Sequence, residues 1–173
     1  YCATCDAFFF KEQPVAVVGG GNAAITEALY LTKFASKVIV IHRREQLRAT
    51  RILQEKAFSE PKIEFLWNTV VEEIDGDDKV KQLKLRQVKT GEKSTLDVSG
   101  VFVAIGLTPG TGFLRGVLPL DAAGYIATNE RMETEIPGIF AAGDIRLNSA
   151  RQAITAAGDG ATAAIYAEKF ISK

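Results

Sequence analysis

Short apolar runs alternate along the chain with a stretch whose apolar residues recur at helical spacing, and this pattern predicts an α/β fold. Residues 14–18 are apolar and end in a glycine-rich turn, and residues 23–34 have helical spacing. Residues 37–41 form a second predicted strand, which is apolar after Lys37. Continuous apolar runs are typical of parallel strands that are buried on both faces. The order predicts a βαβ unit with a right-handed crossover.

The pattern becomes looser in the middle of the chain. A helix is predicted over residues 45–58 and a short strand over residues 63–67. Residues 69–98 then alternate between apolar and polar positions around two turns, which predicts an antiparallel meander with one solvated face. Residues 100–106 are fully apolar, so we expect the chain to return there to the buried sheet.

Glycine and proline cluster after residue 106 and predict a boundary between two domains, residues 1–106 and 107–173. The second part contains one predicted strand, residues 139–142, and one alanine-rich helix, residues 150–171. A buried strand needs neighbours on both sides. We therefore expect the second domain to be incomplete and to expose apolar surface near its end, including Phe140 and Phe170.

Composition excludes several classes of protein. Of the 173 residues 47% are hydrophobic, and 21 basic residues balance 21 acidic ones. A general nucleic-acid binder would carry a basic excess, and no apolar run is long enough to cross a bilayer. Neither nucleic acid nor a membrane is therefore an expected partner. Because the chain begins at Tyr1 rather than at Met, we expect either a processed or excised piece or a longer protein whose N-terminal part is missing.

Both cysteines of the chain, Cys2 and Cys5, lie in one Cys-x-x-Cys motif. A bridge over so short a loop would stabilise the fold little, and a zinc site would need further ligands beyond the single histidine, His42. Thiols at this spacing interchange readily between dithiol and disulfide. We expect a redox pair and no metal site, with Asp6 able to move protons to or from a thiolate. A redox dithiol favours a reducing compartment, hence a cytoplasmic protein.

The turn after the first predicted strand has the spacing of a dinucleotide fingerprint, Gly19-x-Gly21-x-x-Ala24. The first glycine permits the tight turn, and the second lets the backbone approach a pyrophosphate at the helix N-terminus. An ordinary βα turn is the alternative. The position between a strand and a helix favours nucleotide binding, with Asn22 and Ala23 included in the site.

The second predicted strand ends in His42-Arg43-Arg44, and Arg48 follows. An NAD site usually has an acidic residue at this point, which accepts hydrogen bonds from the ribose 2′-hydroxyl. Guanidinium groups instead match phosphate oxygens in charge and shape. The cluster predicts a 2′-phosphate site and NADPH as the cofactor, and a solvated basic helix face is the alternative.

These motifs together resemble bacterial-type (low-molecular-weight) thioredoxin reductases. The matching segments, in family order, are residues 2–6, 19–24, 42–48, 103–106, 143–144 and 151–153. The resemblance implies a Rossmann-like NADPH-binding domain with a redox disulfide over residues 1–106, and the C-terminal half of an FAD-binding α/β domain over residues 107–173. Two positions depart from the family pattern: Ala7 stands where glycine is usual, and Gly110 where asparagine is common.

The resemblance also implies roles for individual residues. Cys2 and Cys5 correspond to the redox pair, and Asp6 to the acid that protonates a thiolate. Asp144 corresponds to the residue that binds the flavin ribityl chain. The other expected cofactor-binding residues are His42, Arg43, Arg44 and Arg48 near the 2′-phosphate, Ile105 and Gly106 at the end of the returning strand, and Gly143, Arg151, Gln152 and Ala153 near the flavin.

The implied activity is electron transfer from NADPH through FAD to the Cys2–Cys5 disulfide, and then to thioredoxin or a similar small dithiol protein. The intact enzyme is expected to be a homodimer. A peroxiredoxin-linked flavoprotein reductase on the same scaffold is one alternative. An NADPH-binding module without catalysis is another, because the chain contains one dinucleotide fingerprint and two cofactors cannot share it.

Overall fold

A computed structural model describes residues 2–172, so only the outer limits of the predicted domains, Tyr1 and Lys173, lie outside it. The described residues contain seven strands: β1 (Pro14–Val18), β2 (Lys37–His42), β3 (Ile63–Trp67), β4 (Thr69–Gly76), β5 (Val80–Gln87), β6 (Lys93–Asp97) and β7 (Gly100–Val103). Their α-helices are α1 (Ala3–Asp6), α2 (Asn22–Leu31), α3 (Arg51–Ser59) and α4 (Ala153–Ile171). Short 3₁₀ turns cover Ala7–Phe10, Gly112–Leu114 and Gly143–Ile145. The chain divides into two compact units between Gly106 and Leu107.

A parallel sheet in the order β3-β2-β1-β7 forms the centre of the first unit. β1 pairs with β2 in parallel, with Val15 opposite Val38, and β7 pairs with the other side of β1, with Phe102 opposite Val17. Val15, Val17 and Val38 are fully buried, as a sheet covered on both faces requires. The predicted βαβ unit and the α/β class are confirmed. The returning strand is confirmed over Gly100–Val103, whereas residues 104–106, which were also predicted to belong to it, lie outside it.

A second, antiparallel sheet in the order β4-β5-β6 covers one face of the parallel sheet. Its inward side chains Leu83 and Leu85 are buried in one cluster with Ile39 and Ile41 of β2. The outward positions carry ion pairs such as Lys84 with Glu73. This alternation of buried and solvated positions is that of the predicted meander, which is confirmed.

Helices cover the opposite face of the parallel sheet. Ala24, Ala28 and Leu31 of α2 are fully buried against the valines of β1 and β2. Ala3 and Ala7, on either side of Cys5, belong to the same core. The short Cys-x-x-Cys segment is therefore anchored by alanine methyl groups beside the helix that follows the glycine turn.

The predicted helix over residues 45–58 is wrong in its first part, because α3 begins at Arg51. The preceding backbone is held elsewhere: the N–H groups of Arg48 and Ala49 donate to the carbonyl oxygen of Gly20, at 2.7 and 3.2 Å. A backbone that makes these long-range bonds is not in a helix. The other helices are also shorter than predicted, since α2 ends at Leu31 and α4 begins at Ala153.

The second unit contains the long helix α4 and a small core that includes Leu118, Ile126 and Ala141. The predicted strand over residues 139–142 is wrong. In its place the described chain has one isolated antiparallel bridge, between Glu133 and Phe140. A strand forms only where a neighbour supplies a ladder of hydrogen bonds, and this bridge is too short to do so.

The side chains of α4 are exposed or half-buried throughout the described part of the helix. Ile154, Ile165 and Ile171 are 80%, 54% and 81% exposed. Phe170 is also exposed, whereas Phe140 is half-buried and packs edge-on against it with ring centroids 6.5 Å apart. The expected apolar surface is thus present, and it extends along the helix. Within residues 2–172 no helix is long and apolar enough to span a membrane.

Candidate nucleotide-binding and redox sites

The glycine turn joins β1 to α2, and Gly19 has no room for a side chain. Its φ is +152°, and a β-carbon there would lie 2.4 Å from the carbonyl oxygen of Ala104 and 2.8 Å from the β-carbon of Ala24. Gly21 differs, since a β-carbon on it would have no neighbour within 4 Å. The turn therefore packs tightly against the protein at Gly19 and leaves open space at Gly21. A pyrophosphate that binds at a helix N-terminus needs such open space next to the backbone.

Gly20, a variable position in the fingerprint, is also sterically closed. A β-carbon there would lie 2.4 Å from two atoms of the His42 ring. His42 is 4% exposed, and its Nε2 lies 3.1 Å from the carbonyl oxygen of Gln46. Burial lowers the pKa of His42, the hydrogen bond to Gln46 opposes this shift, and the charge of Arg48 adds to it. The buried His42 ring thus packs directly beneath the turn, and burial favours its uncharged form. No sequence motif indicates that Gly20 must be glycine.

The loop over residues 43–50 folds back onto the glycine turn. Besides the two bonds to Gly20, the N–H of Thr50 donates to Oδ1 of Asn22 at 2.8 Å. These contacts bring Arg48 next to the turn at the start of α2. The arginines therefore lie on a loop bound to the glycine turn, and not on a helix.

A cleft of about 500 Å³ opens over the glycine turn. It is lined by Val18, Gly19, Gly20, Gly21, Asn22, Ala23, Ile41, His42, Arg43, Arg48, Thr69, Val70, Val71, Ala104, Ile105 and Gly106. Ala24 is buried beneath the turn. Sequence reasoning missed the wall formed by Thr69, Val70 and Val71, because no local motif relates β4 to a nucleotide turn.

A second basin of about 520 Å³ shares Arg43 and Arg48 with this cleft. It is lined by Arg43, Arg44, Glu45, Gln46, Leu47, Arg48, Asn68 and Lys89. All three predicted arginines therefore surround one open space. Sequence reasoning missed Asn68 and Lys89, which reach the basin from distant parts of the chain.

Cys2 and Cys5 form a disulfide at the start of α1. The N–H of Cys5 donates to Sγ of Cys2 at 3.2 Å. Cys5 and Asp6 are exposed, Cys2 is half-buried, and Ala7 is 1% exposed. The methyl group of Ala7 fills the core at the position where the resembled family usually has glycine.

Glu27 of α2 lies beneath the redox segment, and no motif predicted it. Its Oε2 is buried without a hydrogen-bond partner among the described residues. Burial raises the pKa of Glu27, and a hydrogen bond from the backbone of Ala3 opposes that shift. Glu27 thus connects the Cys-x-x-Cys helix to the helix that starts at the glycine turn.

The predicted flavin residues lie in the second unit. Asp144 is exposed in the Gly143–Ile145 turn. Gln152 is the N-cap residue of α4, and Ala153 is its first residue. Arg151 precedes them with φ +54°, and its guanidinium donates to the hydroxyl of Tyr125 at 2.8 Å.

An ion pair that sequence reasoning missed connects the Gly143–Ile145 turn to α4. Arg146 donates to Asp159 through Nε at 2.8 Å and through Nη2 at 2.9 Å. The same carboxylate accepts the N–H of Gly143 at 3.1 Å, and Arg146 also donates to the Thr128 hydroxyl at 3.1 Å. Both charged side chains are largely buried, being 17% and 13% exposed.

A parallel sheet with a glycine turn, an arginine-lined basin and a disulfide in one unit can bind a phosphorylated nucleotide and exchange thiols. The sequence profile of the pyridine nucleotide-disulphide oxidoreductases matches residues 1–160. The chain belongs to this oxidoreductase family. Within residues 2–172 no cluster of His, Cys, Asp and Glu is suited to hold a metal ion.

Relatives of the chain confirm the resemblance to thioredoxin reductases. The thioredoxin reductase of Streptomyces coelicolor is 50% identical over an alignment of 173 positions, which covers 99% of this chain and 54% of that protein. That of Rickettsia felis is 51% identical over an alignment of 176 positions, which covers 99% of this chain and 57% of the relative. The crystal structure of thioredoxin reductase from Streptococcus pyogenes superposes with a TM-score of 0.91 at 47% identity, covering 99% of this chain and 56% of that one. The chain thus spans about half the length of the curated relatives that it matches.

Proposed function

We propose that this chain is the nicotinamide-binding and dithiol-bearing part of an NADPH-dependent flavoprotein disulfide reductase. The observation that carries the proposal is that one folded unit holds both a Cys2–Cys5 disulfide and a glycine turn beside an arginine-lined basin. The names of the relatives support thioredoxin, or a similar small dithiol protein, as the substrate.

The residues around the cleft fit NADPH. Gly21 leaves open space for a pyrophosphate, and the first backbone N–H groups of α2 have no partner within the helix. Arg43, Arg44 and Arg48 supply the cationic donors that a 2′-phosphate needs. Ala23, Ala24, Ile105 and Gly106 complete the proposed nucleotide site, and His42 forms its floor.

Residues 107–173 are proposed as part of an FAD-binding domain. Asp144 offers an exposed carboxylate to hydroxyl groups, and the start of α4 at Ala153 offers backbone N–H donors to phosphate or carbonyl oxygens. Gly143, Arg151 and Gln152 belong to the same proposed set. This donor set fits a ribityl chain and its neighbouring polar groups.

When bound, NADPH and FAD supply two-electron transfer to the disulfide, which the chain's own residues cannot provide. Two electrons and two protons convert Cys2–Cys5 to a dithiol. One cysteine thiolate then attacks the substrate disulfide and forms a mixed disulfide, releasing one substrate thiol. The second cysteine attacks the mixed disulfide, so that Cys2–Cys5 re-forms and the second substrate thiol is released. Asp6 is proposed to hold and return the protons during these exchanges.

The reaction requires a compartment in which thioredoxin-type dithiols are kept reduced, so the proposal includes a cytoplasmic location. It also includes a homodimeric intact enzyme, as the resemblance implies.

The test uses the full-length protein that contains this segment. We expect yellow, flavin-bound protein whose anaerobic titration with NADPH reveals two new thiols, and NADPH oxidation that depends on oxidised thioredoxin. The Cys2→Ser/Cys5→Ser variant should keep its colour and lose both results. Turnover with a peroxiredoxin but not with thioredoxin would show that the protein is a peroxiredoxin-linked reductase. NADPH binding without any thiol formation would show that the protein is an NADPH-binding module without catalysis.

A further inference from the structure

Lys89 is held beside the arginine loop by the backbone. It lies between β5 and β6, directly after Val88, whose N–H donates to the carbonyl oxygen of Asn68 at 2.6 Å. The N–H of Asn68 in turn donates to the carbonyl oxygen of Arg44 at 3.2 Å. Two successive hydrogen bonds thus connect the Lys89 segment to the loop that presents the arginines.

The Lys89 ammonium group is paired with a carboxylate of that same loop. Its Nζ lies 2.6 Å from Oε2 of Glu45, and both side chains are exposed, by 61% and 66%. Lys89 holds the pKa of Glu45 below its usual range, so Glu45 is ionised near neutral pH. The basin therefore has four cationic side chains and one carboxylate on its walls.

An exposed pair of this kind is easily exchanged. Such pairs contribute little to stability because water screens them and two long side chains must be ordered. A phosphate that carries about two negative charges is a stronger partner for a lysine than a single carboxylate is. The same phosphate is repelled by Glu45, so the two anions compete for Lys89.

We propose that Lys89 is a fourth cationic ligand of the nucleotide 2′-phosphate, and that Glu45 competes with the phosphate for it. The inference rests on the nucleotide site proposed above. Binding of the phosphorylated nucleotide breaks the Glu45–Lys89 pair, and the pair therefore tunes the preference for NADPH over NADH. Lys89 is a specificity residue and takes no part in the transfer of electrons.

The two partners must then have opposite effects on binding. In the full-length protein, Lys89→Met should weaken the binding of 2′,5′-ADP about three- to tenfold, as the loss of one partly screened charge contact predicts. Glu45→Gln should strengthen it by a factor of about two to five, because a competitor is removed. The probe is titrated calorimetrically at low and at physiological salt, and the KM values for NADPH and NADH are compared.

Lys93→Met is the matched control, since Lys93 is another exposed lysine of the same hairpin and pairs with Glu72 at 3.2 Å. It should leave 2′,5′-ADP binding unchanged. If Glu45→Gln and Lys89→Met both weaken binding, or if Lys89→Met affects NADH and NADPH equally, the pair only supports the loop and the inference is overturned. The Arg43→Ala/Arg44→Ala variant distinguishes failure of the proposed 2′-phosphate site from failure of the inference about Lys89. If this variant binds 2′,5′-ADP normally, the proposed 2′-phosphate site is wrong. If it binds 2′,5′-ADP more weakly while Lys89→Met binds it normally, only the role of Lys89 is rejected.

Discussion

Arg146 and Asp159 make a two-point ion pair that fixes the Gly143–Ile145 turn against α4. Because Asp159 also accepts the backbone N–H of Gly143, one carboxylate bonds both ends of the turn. Gly143 packs close to the first turns of the helix, as a β-carbon on it would lie 3.4 Å from that of Ala156. The proposed flavin residue Asp144 is therefore positioned by a pair that does not itself belong to the proposed flavin site.

Replacing Asp159 with asparagine should destabilise the second unit. The change removes the charge from three hydrogen bonds, and a charged hydrogen bond contributes about 1.5–3 kcal/mol. We expect a loss of about 2 kcal/mol in the free energy of unfolding, together with weaker retention of FAD by the full-length protein. Urea unfolding and the flavin content of purified protein measure the two effects.

Glu168→Gln provides the comparison for this change, because Glu168 is an exposed carboxylate nearer the end of the same helix. It should leave both quantities unchanged. Normal flavin retention by Asp159→Asn at reduced stability would mean that the pair stabilises the unit without positioning Asp144.

The contribution of Asp159 should depend on pH with a definite sign. The hydrogen bond from Arg146 lowers the pKa of Asp159, so the ionised form is favoured in the folded state. Its stabilisation is therefore complete above the unfolded value of about 4, and it is lost as the pH falls through the lowered folded value. The difference in unfolding free energy between the wild type and Asp159→Asn should shrink as the pH falls from about 6 to about 3. A difference that stays constant over this range would contradict the ionic origin of the contact.

Alanine substitutions at Gly20 and Gly21 should have different effects. Gly20→Ala pushes a methyl group into the His42 ring, and overpacking of this kind costs about 1–3 kcal/mol of stability. Gly21→Ala places its methyl group in open space, so stability should be retained while nucleotide binding weakens at least about tenfold, because the pyrophosphate then meets a side chain. Thermal unfolding and NADPH titration of the two variants give the comparison. Unchanged NADPH binding by Gly21→Ala would remove the pyrophosphate from this turn.

Loss of Arg43 and Arg44 should change the choice of nucleotide. Each charged contact to a phosphate is worth about 1.5–3 kcal/mol, so Arg43→Ala/Arg44→Ala should weaken NADPH by about a hundredfold or more. NADH, which lacks the 2′-phosphate, should bind as before. The ratio of the two dissociation constants is the deciding measurement, and equal losses for both nucleotides would rule out a 2′-phosphate site.

The pattern of apolar and polar residues was sufficient to predict the strands of both sheets. The apolar run before Gly19 and the one that ends at Ile41 each form a strand because continuous apolar residues need a sheet covered on both faces. The antiparallel meander was predicted because apolar and polar residues alternate on both sides of its turns. The contacts that place Arg48 beside the glycine turn are long-range backbone bonds to Gly20, so the helix predicted over that loop was wrong.

The unpredicted parts of the candidate sites have the same origin. Three residues that were not predicted are Lys89, Asp159 and Glu27. Each contacts a partner that is distant in the sequence or lies on another element, and a local sequence motif does not reveal such a contact. Gly20 was treated as variable because the reason for its size, the His42 ring, becomes visible only when β2 lies next to β1. The predicted strand over residues 139–142 was wrong for the converse reason, since its apolar residues lack a ladder partner in the described chain.

The exposed apolar side chains of α4 also matter during protein synthesis. α4 follows every other described element in chain order, so its Ile154, Ile165 and Phe170 leave the ribosome after the rest of this segment. Until another surface covers them, they are the kind of segment to which chaperones bind and through which nascent chains aggregate at high concentration. We therefore expect the yield of soluble protein to rise when this helix is covered soon after synthesis.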